Sequence, residues 1–294
     1  MRTFVFTCLL LLGMTTFAQD ADFHIYLCLG QSNMEGNAKV EEQDTVAVDS
    51  RFQVLAAVDC PNLGRTKGNW YKAVPPLARC YTGLTPGDYF GRAMVANLPS
   101  NVRVGIINVA VGGCRIELFD KDNYQSYVAT SPDWLKNMVK EYGGNPYARL
   151  VEMAKLAQKD GVIKGILLHQ GESNTNDKDW PLKVKGVYDN LLNDLGLSAA
   201  NVPLLAGEVV HADQNGVCAS MNTIIDSLPQ VIPTAHVISS AGCPAAFDNL
   251  HFTAEGYRML GARYAAKMLS ILGYGDWTSA QNMKLSLIHI SEPT

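Results

Sequence analysis

One serine in this sequence stands in surroundings that suit a nucleophile. Ser32 follows directly after an apolar run, in the segment GQSN. A serine hydroxyl is a weak nucleophile and needs a base that removes its proton. Far along the chain, Asp248 and His251 stand three residues apart in DNLHFT, so one short turn can hold an imidazole together with the carboxylate that orients it. We predict that these three residues act together in acyl transfer.

Acyl transfer also needs hydrogen-bond donors at the point where negative charge develops on the substrate oxygen. The backbone N–H of Ser32, an N–H in the Gly112-Gly113 turn and a side-chain amide can supply them. Glycine in such a turn lets the backbone approach a substrate closely. Each residue also has a structural alternative, because serine after a strand is often a helix cap and an Asp-x-x-His pair can cap a helix in the same way.

Five apolar, β-branched runs predict the strands that must position these groups. They are nearly continuous rather than alternating, which is typical of parallel strands covered on both faces. The runs are residues 23–29, 102–110, 162–169, 202–210 and 236–241. Helical patterns at residues 87–98, 145–160, 180–196 and 252–272 separate or follow them, and Thr253 is well placed to cap the last helix. We therefore predict an α/β fold, a three-layer α/β/α sandwich with a central parallel sheet of about five strands.

The polar clusters follow the predicted strands. GQSN comes after the first run, VGGCRIE (111–117) after the second, QGESN (170–174) after the third, and GCPAAFDNLHFT (242–253) after the fifth. Open parallel sheets bind ligands outside the carboxyl ends of their strands, so four such clusters at one edge indicate an assembled site. Residues 37–86, which are rich in Pro and Gly and weakly periodic, predict an elaborated loop over one edge of the sheet.

At these clusters the chain resembles the SGNH (GDSL-like) hydrolase superfamily, which has a flavodoxin-like fold. Within that superfamily it is similar to the carbohydrate acetylesterases of carbohydrate esterase family six and to the sialate O-acetylesterase-like domain. GQSNMEG corresponds to the first block, GG at 112–113 to the second, HQGESN to the third and DNLHFT to the last. Two blocks depart from the general pattern, since the first reads GQS rather than GDS and the third reads QGESN rather than GxND.

The resemblance implies a role for each matching residue. Ser32 would be the nucleophile, with His251 as the base and Asp248 as its acid, while Glu172 could share or replace Asp248. The oxyanion would be held by the N–H groups of Ser32 and Gly113 and by the amide of Gln170. The residues expected to contact the substrate are Gln31, Asn33, Gly112 and Arg115. Two of these residues have a structural alternative: Glu172 only holds its own loop, and Arg115 forms an ion pair with Glu117 or Asp120.

The expected function is that of a secreted serine esterase which removes O-acetyl groups from carbohydrate, above all from acetylxylan or xylo-oligosaccharides. A sialate O-acetylesterase is a second possibility, and a catalytically inactive carbohydrate-binding protein is a third. The chemistry needs no cofactor, and no Cys or His spacing predicts a metal site. The charge, with 24 basic and 28 acidic residues, is −4, which disfavours nucleic acid and anionic membranes as partners.

Both ends of the chain are set aside from the predicted esterase domain, residues 19–284. Residues 1–18 read as a signal peptide, because a short apolar run is followed by small residues, and they predict a secreted or periplasmic protein with no membrane association after cleavage. Residues 285–294, LSLIHISEPT, resemble a translated sequencing adapter. The oligomeric state is left open.

Six cysteines remain outside the signal segment, and export makes disulfides possible. Cys60–Cys80 and Cys218–Cys243 are the pairs we expect, because each pair brackets a loop-rich segment. Six cysteines allow 15 connectivities, so other pairings are open.

Overall fold

A single mixed sheet organises the chain. The computed structural model describes residues 19–275. The strands in chain order are β1 (Asp20–Gly30), β2 (Phe52–Leu55), β3 (Trp70–Lys72), β4 (Arg103–Ala110), β5 (Gly161–His169), β6 (Leu204–Gly207) and β7 (Ala235–Ile238). They lie in the order β3-β2-β4-β1-β5-β6-β7, and every neighbouring pair is parallel except β2 and β3.

Helices cover both faces of the sheet. In the described part of the chain they are α1 (Ser32–Glu35), α2 (Glu42–Thr45), α3 (Pro86–Asn97), α4 (Tyr124–Thr130), α5 (Asp133–Glu141), α6 (Pro146–Ala157), α7 (Trp180–Leu195), α8 (Asn222–Ile225), α9 (Leu228–Val231) and α10 (Ala254–Ile271). Short 3-10 turns lie at Pro61–Leu63, Ile116–Phe119, Glu172–Asn174, Ala212–Gln214 and Ala219–Met221.

The predicted three-layer α/β/α architecture is confirmed. Along β1, Ile25 and Leu27 point into the core shared with α5, α6 and α7, whereas Tyr26 and Cys28 point into the core shared with α3 and α10. Both faces of the strand are therefore buried, which explains its continuous apolar sequence.

The sheet has two more strands than the five predicted. The extra strands are β2 and β3, which arise inside the segment expected to be a loop over one edge. They are four and three residues long, and β3 is an edge strand paired on one side by β2. β6 and β7 are no longer than β2, but they were predicted because they lie within apolar runs, whereas β2 and β3 lie in a segment rich in Pro and Gly.

The four long helices predicted from the sequence are α3, α6, α7 and α10. Thr253 caps α10 as predicted, because its hydroxyl oxygen accepts the backbone N–H of Gly256 at 3.1 Å. The sequence analysis did not predict α4 or α5, which lie between β4 and α6.

β1 is the strand at which the order of strands across the sheet reverses. It pairs with β4 on one side and β5 on the other, so β2, β3 and β4 lie on one side of it and β5, β6 and β7 lie on the other. Such a switch point opens a crevice at the carboxyl ends of the central strands. Ser32 follows β1 directly, and the predicted site therefore lies at the mouth of this crevice.

One of the two predicted disulfides is present. Cys60 and Cys80 are bonded, whereas Cys218 and Cys243 are free thiols, so the second predicted pair is wrong. The reason is topological: Cys218 packs against the core on one face of the sheet and Cys243 is buried in the core on the other.

No helix within residues 19–275 has the length and apolarity to cross a bilayer. The predicted signal peptide (1–18) and the adapter-like tail (285–294) lie outside the described residues.

Candidate active site

A tight turn after β1 presents Ser32 at the sheet edge. Gly30 has a φ of +148°, and a Cβ there would lie 2.0 Å from the carbonyl oxygen of His169 at the end of β5. Only glycine allows this approach of the two strand ends. The next residue, Gln31, donates its backbone N–H to the same carbonyl at 3.0 Å, and Ser32 then begins the single-turn helix α1.

Ser32, His251 and Asp248 form one hydrogen-bonded chain. The Ser32 Oγ lies 2.8 Å from His251 Nε2, and His251 Nδ1 lies 2.7 Å from Asp248 Oδ2. These partners favour the tautomer in which Nδ1 carries the proton toward the carboxylate and Nε2 accepts the serine proton. Residues 219 positions apart in sequence are thereby brought together by the fold.

Asp248 is held in the ionised form by its surroundings. Its partial burial raises its pKa, but hydrogen bonds from the His251 ring and from the backbone N–H groups of His251 and Leu250 outweigh burial and hold the pKa of Asp248 below its usual value. A fixed negative charge at this position stabilises the imidazolium that forms when the base takes a proton.

Two backbone donors beside the serine have no partner. Within residues 19–275, neither the N–H of Ser32 nor that of Gly113 has a hydrogen-bond acceptor. Gly113 adopts a left-handed φ of +68°, and a Cβ on the neighbouring Gly112 would lie 3.8 Å from the Ser32 Cβ and 2.8 Å from Glu35 Oε2. The glycine pair thus brings backbone close to the serine, as the sequence predicted, and both donors are available to an oxyanion.

Gln170 does not present its amide to a substrate. Its Nε2 lies within hydrogen-bond distance of Asn174 Oδ1 (2.8 Å), Gln31 Oε1 (3.1 Å) and the Cys114 carbonyl (3.3 Å), and its Oε1 accepts the indole N–H of Trp180. An amide has two N–H protons, and three acceptors already share them. The structure therefore contradicts the prediction that Gln170 is an oxyanion donor.

The amide of Gln31 is a better candidate than the amide of Gln170 for an oxyanion donor. Its Oε1 accepts hydrogen bonds from Gln170 Nε2 and from the backbone N–H of Ser173 at 3.2 Å. This fixes the side-chain orientation, and its Nε2 has no acceptor among the described residues. Gln31 was expected to contact substrate, and a free amide donor next to Ser32 suits that expectation.

Asn33 is not a substrate contact. It is fully buried, its Nδ2 donates to Glu172 Oε1 and to the Leu250 carbonyl (3.1 Å), and its Oδ1 accepts the Tyr257 hydroxyl at 2.6 Å. The prediction that Asn33 binds substrate is wrong, because all its polar atoms are used inside the protein. Instead, Asn33 joins the serine turn to the loop that carries His251.

Glu172 does not contact His251. Its Oε1 accepts from Asn33 and lies 3.6 Å from His169 Nε2, and its Oε2 has no partner among the described residues. Burial raises the pKa of Glu172, but His169 and the Asn33 amide outweigh that effect and hold it below its usual value. The geometry therefore favours Asp248, and not Glu172, as the acid next to His251.

Arg115 lies on the rim of the site in an ion-pair cluster. Its guanidinium is 3.3 Å from Glu117 and 3.4 Å from Asp177, and Lys183 contacts the same two carboxylates. The predicted ion pair with Glu117 is present, and Asp177 takes the place expected for Asp120. Two positive and two negative charges balance one another there.

Arg79 supports the glycine turn, and sequence reasoning missed it. Its guanidinium contacts Glu35 Oε1 at 2.5 Å, and that same oxygen accepts the N–H of Gly112 at 3.0 Å. It also contacts Glu141 at the end of α5 and lies 3.0 Å from Met138 Sδ. Arg79 thus ties the glycine turn to α5. A lone arginine inside a predicted loop carries no local signal for such a role.

The assembled groups can perform acyl transfer. A hydroxyl, an imidazole and a carboxylate are aligned beside unpaired N–H donors, which is the arrangement that attack on a carbonyl requires. Residues 19–275 contain no group of three or more His, Cys, Asp or Glu placed to hold a metal ion.

The chain is similar to known carbohydrate esterases. Residues 22–270 match the sequence profile of the family described as carbohydrate esterase, sialic acid-specific acetylesterase. A probable carbohydrate esterase of Arabidopsis thaliana is 25% identical in an alignment of 264 positions, and the match covers 84% of this chain and 90% of the plant protein.

Solved structures share the fold. The X-ray structure of an Arabidopsis thaliana protein matches with a TM-score of 0.65 at 21% identity, covering 84% of this chain and 98% of that one. NanS matches with a TM-score of 0.60 at 15% identity over 88% and 99% of the two chains. A carbohydrate acetylesterase from Xanthomonas citri matches with a TM-score of 0.59 at 18% identity, covering 84% of this chain and 56% of that one.

Proposed function

Because the chain belongs to the carbohydrate esterase family described as sialic acid-specific acetylesterase, we propose that it is a serine esterase that removes O-acetyl groups from carbohydrate. The observation that carries the proposal is the hydrogen-bonded chain from Ser32 through His251 to Asp248, beside two unpaired backbone donors. A carbohydrate-binding protein that had lost its activity would not need these three residues in hydrogen-bond contact, and all three are present.

The proposed reaction proceeds in two halves. Ser32 Oγ attacks the acetyl carbonyl while His251 Nε2 takes the serine proton, and the N–H groups of Ser32 and Gly113 together with the Gln31 amide hold the oxyanion. His251 then protonates the departing sugar oxygen as the carbon–oxygen bond breaks, which leaves an acetyl-serine. Water attacks this ester with His251 as the base, acetate departs, and the proton returns to Ser32.

A neutral acetylated sugar, such as acetylxylan or its oligosaccharides, fits the charges around the site. Two arginines close to the glycine turn in contacts or sequence are both paired with carboxylates, Arg115 with Glu117 and Asp177, and Arg79 with Glu35 and Glu141. A sugar carboxylate would have to displace one of these carboxylates. The neutral substrate avoids that cost in desolvation and lost pairing.

Sialate O-acetylesterase is the second candidate. The family description favours it, and so does the position of Arg115, whose side chain is 45% exposed and whose ion pairs are 3.3–3.4 Å long. Weak pairs of this kind at a surface contribute little, so a substrate carboxylate could replace one.

We further propose that the protein is exported. The apolar segment within residues 1–18 supports this, and the Cys60–Cys80 disulfide is of the kind that persists in oxidising compartments. Detection of the mature protein outside the cytoplasm, with its N-terminus near residue 19, would test the proposal.

The esterase proposal is tested with p-nitrophenyl acetate and the variant Ser32→Ala. We expect the wild type to turn over this ester and the variant to lose at least about 10³-fold in kcat/KM, because no other group supplies the attacking oxygen. Ser270→Ala, on the last turn of α10, is the matched control and should retain full activity. An inert wild type, or equal turnover by wild type and Ser32→Ala, would refute the proposal.

The two sugar substrates are separated by acetate release. Acetylxylan and O-acetylated sialic acid are compared at equal ester concentration. The proposal predicts a higher kcat/KM for acetylxylan, and the opposite order would favour the second candidate.

A further inference from the structure

Trp134 lies against the glycine turn of the candidate site. A Cβ placed on Gly113 would be only 2.6 Å from the Trp134 indole, so the ring rests on the backbone of this oxyanion donor. Trp134 is in the first turn of α5, where Leu135 and Val139 are buried and hold the helix to the core. Trp134 as a residue is 54% exposed. Its position is therefore set by the protein while part of its surface faces solvent beside Gly113.

The helix that carries Trp134 is fixed relative to Ser32. Arg79 contacts Glu141 and Met138 on α5 and, through Glu35, the N–H of Gly112. An ion-pair bridge thus links the far end of α5 to the turn that supplies the oxyanion donor. The helix backbone that carries Trp134 is therefore anchored, and a residue on an anchored element costs less to order when a ligand binds.

An exposed indole beside an ester site is suited to one kind of ligand. A large, rigid aromatic surface packs well on the C–H face of a pyranose ring, and binding sites for small molecules use such side chains together with a few polar groups. The indole N–H has no acceptor among the described residues, so it is also available to a sugar hydroxyl.

We propose that Trp134 is a specificity-determining residue that packs on the sugar ring bearing the acetyl group. The inference rests on the proposed esterase function and adds the position of the sugar, which lies on the α5 side of Gly113. The ring acts in binding and transfers no proton. A purely structural role, in which the indole only shields the Gly113 backbone, is the alternative that the experiment must separate.

The test compares two esters in the variants Trp134→Ala and Trp134→Phe. With acetylated xylotriose, we expect Trp134→Ala to raise KM about tenfold with little change in kcat, and Trp134→Phe to recover most of the loss. With p-nitrophenyl acetate, which has no sugar ring, kcat/KM should stay within about threefold of the wild type. Ile271→Ala serves as the control, since it removes an exposed apolar side chain roughly 27 Å along α10 from Thr253.

The outcomes divide as follows. An equal loss of kcat/KM on both esters would mean that the indole only supports the Gly113 backbone. No change in kcat/KM on either ester would mean that the indole neither supports Gly113 nor binds sugar. Each of these results overturns the inference. If the wild type cleaves p-nitrophenyl acetate but not acetylated xylotriose, the esterase chemistry stands and the inferred sugar contact fails. If the wild type cleaves neither ester, the proposed function itself fails.

Binding without turnover gives an independent measurement. Acetylated xylotriose is titrated into Ser32→Ala, and tryptophan fluorescence is followed with and without the further change Trp134→Phe. We expect a saturable signal that is lost when Trp134 is replaced. A signal that persists unchanged would show that the sugar binds elsewhere.

Discussion

Two histidine–carboxylate pairs among the described residues each have a spacing of three positions in the sequence, and they differ in almost every respect. Asp248 and His251 are 2.7 Å apart, and the Asp248 side chain is 33% exposed. His169 and Glu172 are 3.6 Å apart, and their side chains are 0% and 2% exposed. Both pairs have a spacing of three residues. Spacing alone therefore does not identify the pair that acts with a serine.

The difference lies in what surrounds each carboxylate. Asp248 accepts two backbone N–H groups in addition to the imidazole, and the imidazole reaches Ser32. Glu172 bonds inward to Asn33, and its second oxygen has no partner among the described residues. The Asp248–His251 pair is partly exposed and contacts Ser32, whereas the His169–Glu172 pair is buried and helps to hold two loops together. Under the proposed function, contact with Ser32 is what separates the reactive pair from the structural pair.

The sharpest test of this comparison is the isosteric change Asp248→Asn. An amide cannot stabilise the imidazolium and favours the wrong tautomer of His251, so we expect kcat to fall about 10³- to 10⁴-fold with the fold intact. The measurement is hydrolysis of p-nitrophenyl acetate, with circular dichroism as the check on folding. A loss of less than tenfold would remove Asp248 from the proposed triad.

The matched change Glu172→Gln should lower stability more than it lowers the rate. We expect kcat to stay within about tenfold of the wild type, because Glu172 does not contact His251. We expect the free energy of unfolding to fall by about 1–3 kcal/mol, because the buried Asn33 amide loses a charged acceptor. Urea denaturation measures the stability. If Glu172→Gln reduces the rate as much as Asp248→Asn does, the division into reactive and structural pairs is wrong.

A third carboxylate, Asp88, extends the comparison to pH. Burial raises the pKa of Asp88 to about 8, although its hydrogen bond from the Thr85 N–H lowers it in part. The folded chain therefore keeps a proton on Asp88 at pH values where the unfolded chain, with a pKa of about 3.9, has released it. Stability from this group is complete below about pH 4 and is lost as the pH rises toward 8.

Asp88→Asn should abolish that dependence while leaving esterase activity unchanged. The test is the free energy of unfolding of wild type and variant at pH 5, 6.5 and 8. We expect the wild type to lose stability relative to the variant as the pH rises. Asp133→Asn is the control, because that side chain is 97% exposed and should leave the slope unchanged. Parallel curves for wild type and Asp88→Asn would contradict the assignment.

The sequence predicted the layers of the fold because long buried strands and amphipathic helices carry their own patterns. It missed β2 and β3, which are short and lie in a segment rich in Pro and Gly, and it paired Cys218 with Cys243 although they lie on opposite faces of the sheet. Face and layer are properties of the folded chain, and spacing along the sequence does not contain them.

The residues of the site show the same limit. Ser32, Asp248 and His251 were grouped because each follows a strand, and the structure joins them. Gln170 and Asn33 also follow strands, but their amides are consumed by internal partners, which a sequence cannot reveal. Trp134 stands outside every motif, and only its contact with Gly113 draws attention to it.

The long separation between Ser32 and His251 has a consequence during synthesis. A ribosome makes the serine turn early, but the imidazole that joins it is added 219 residues later. A nascent chain that has not yet exposed His251 therefore cannot assemble the pair, and it cannot transfer an acetyl group by this route.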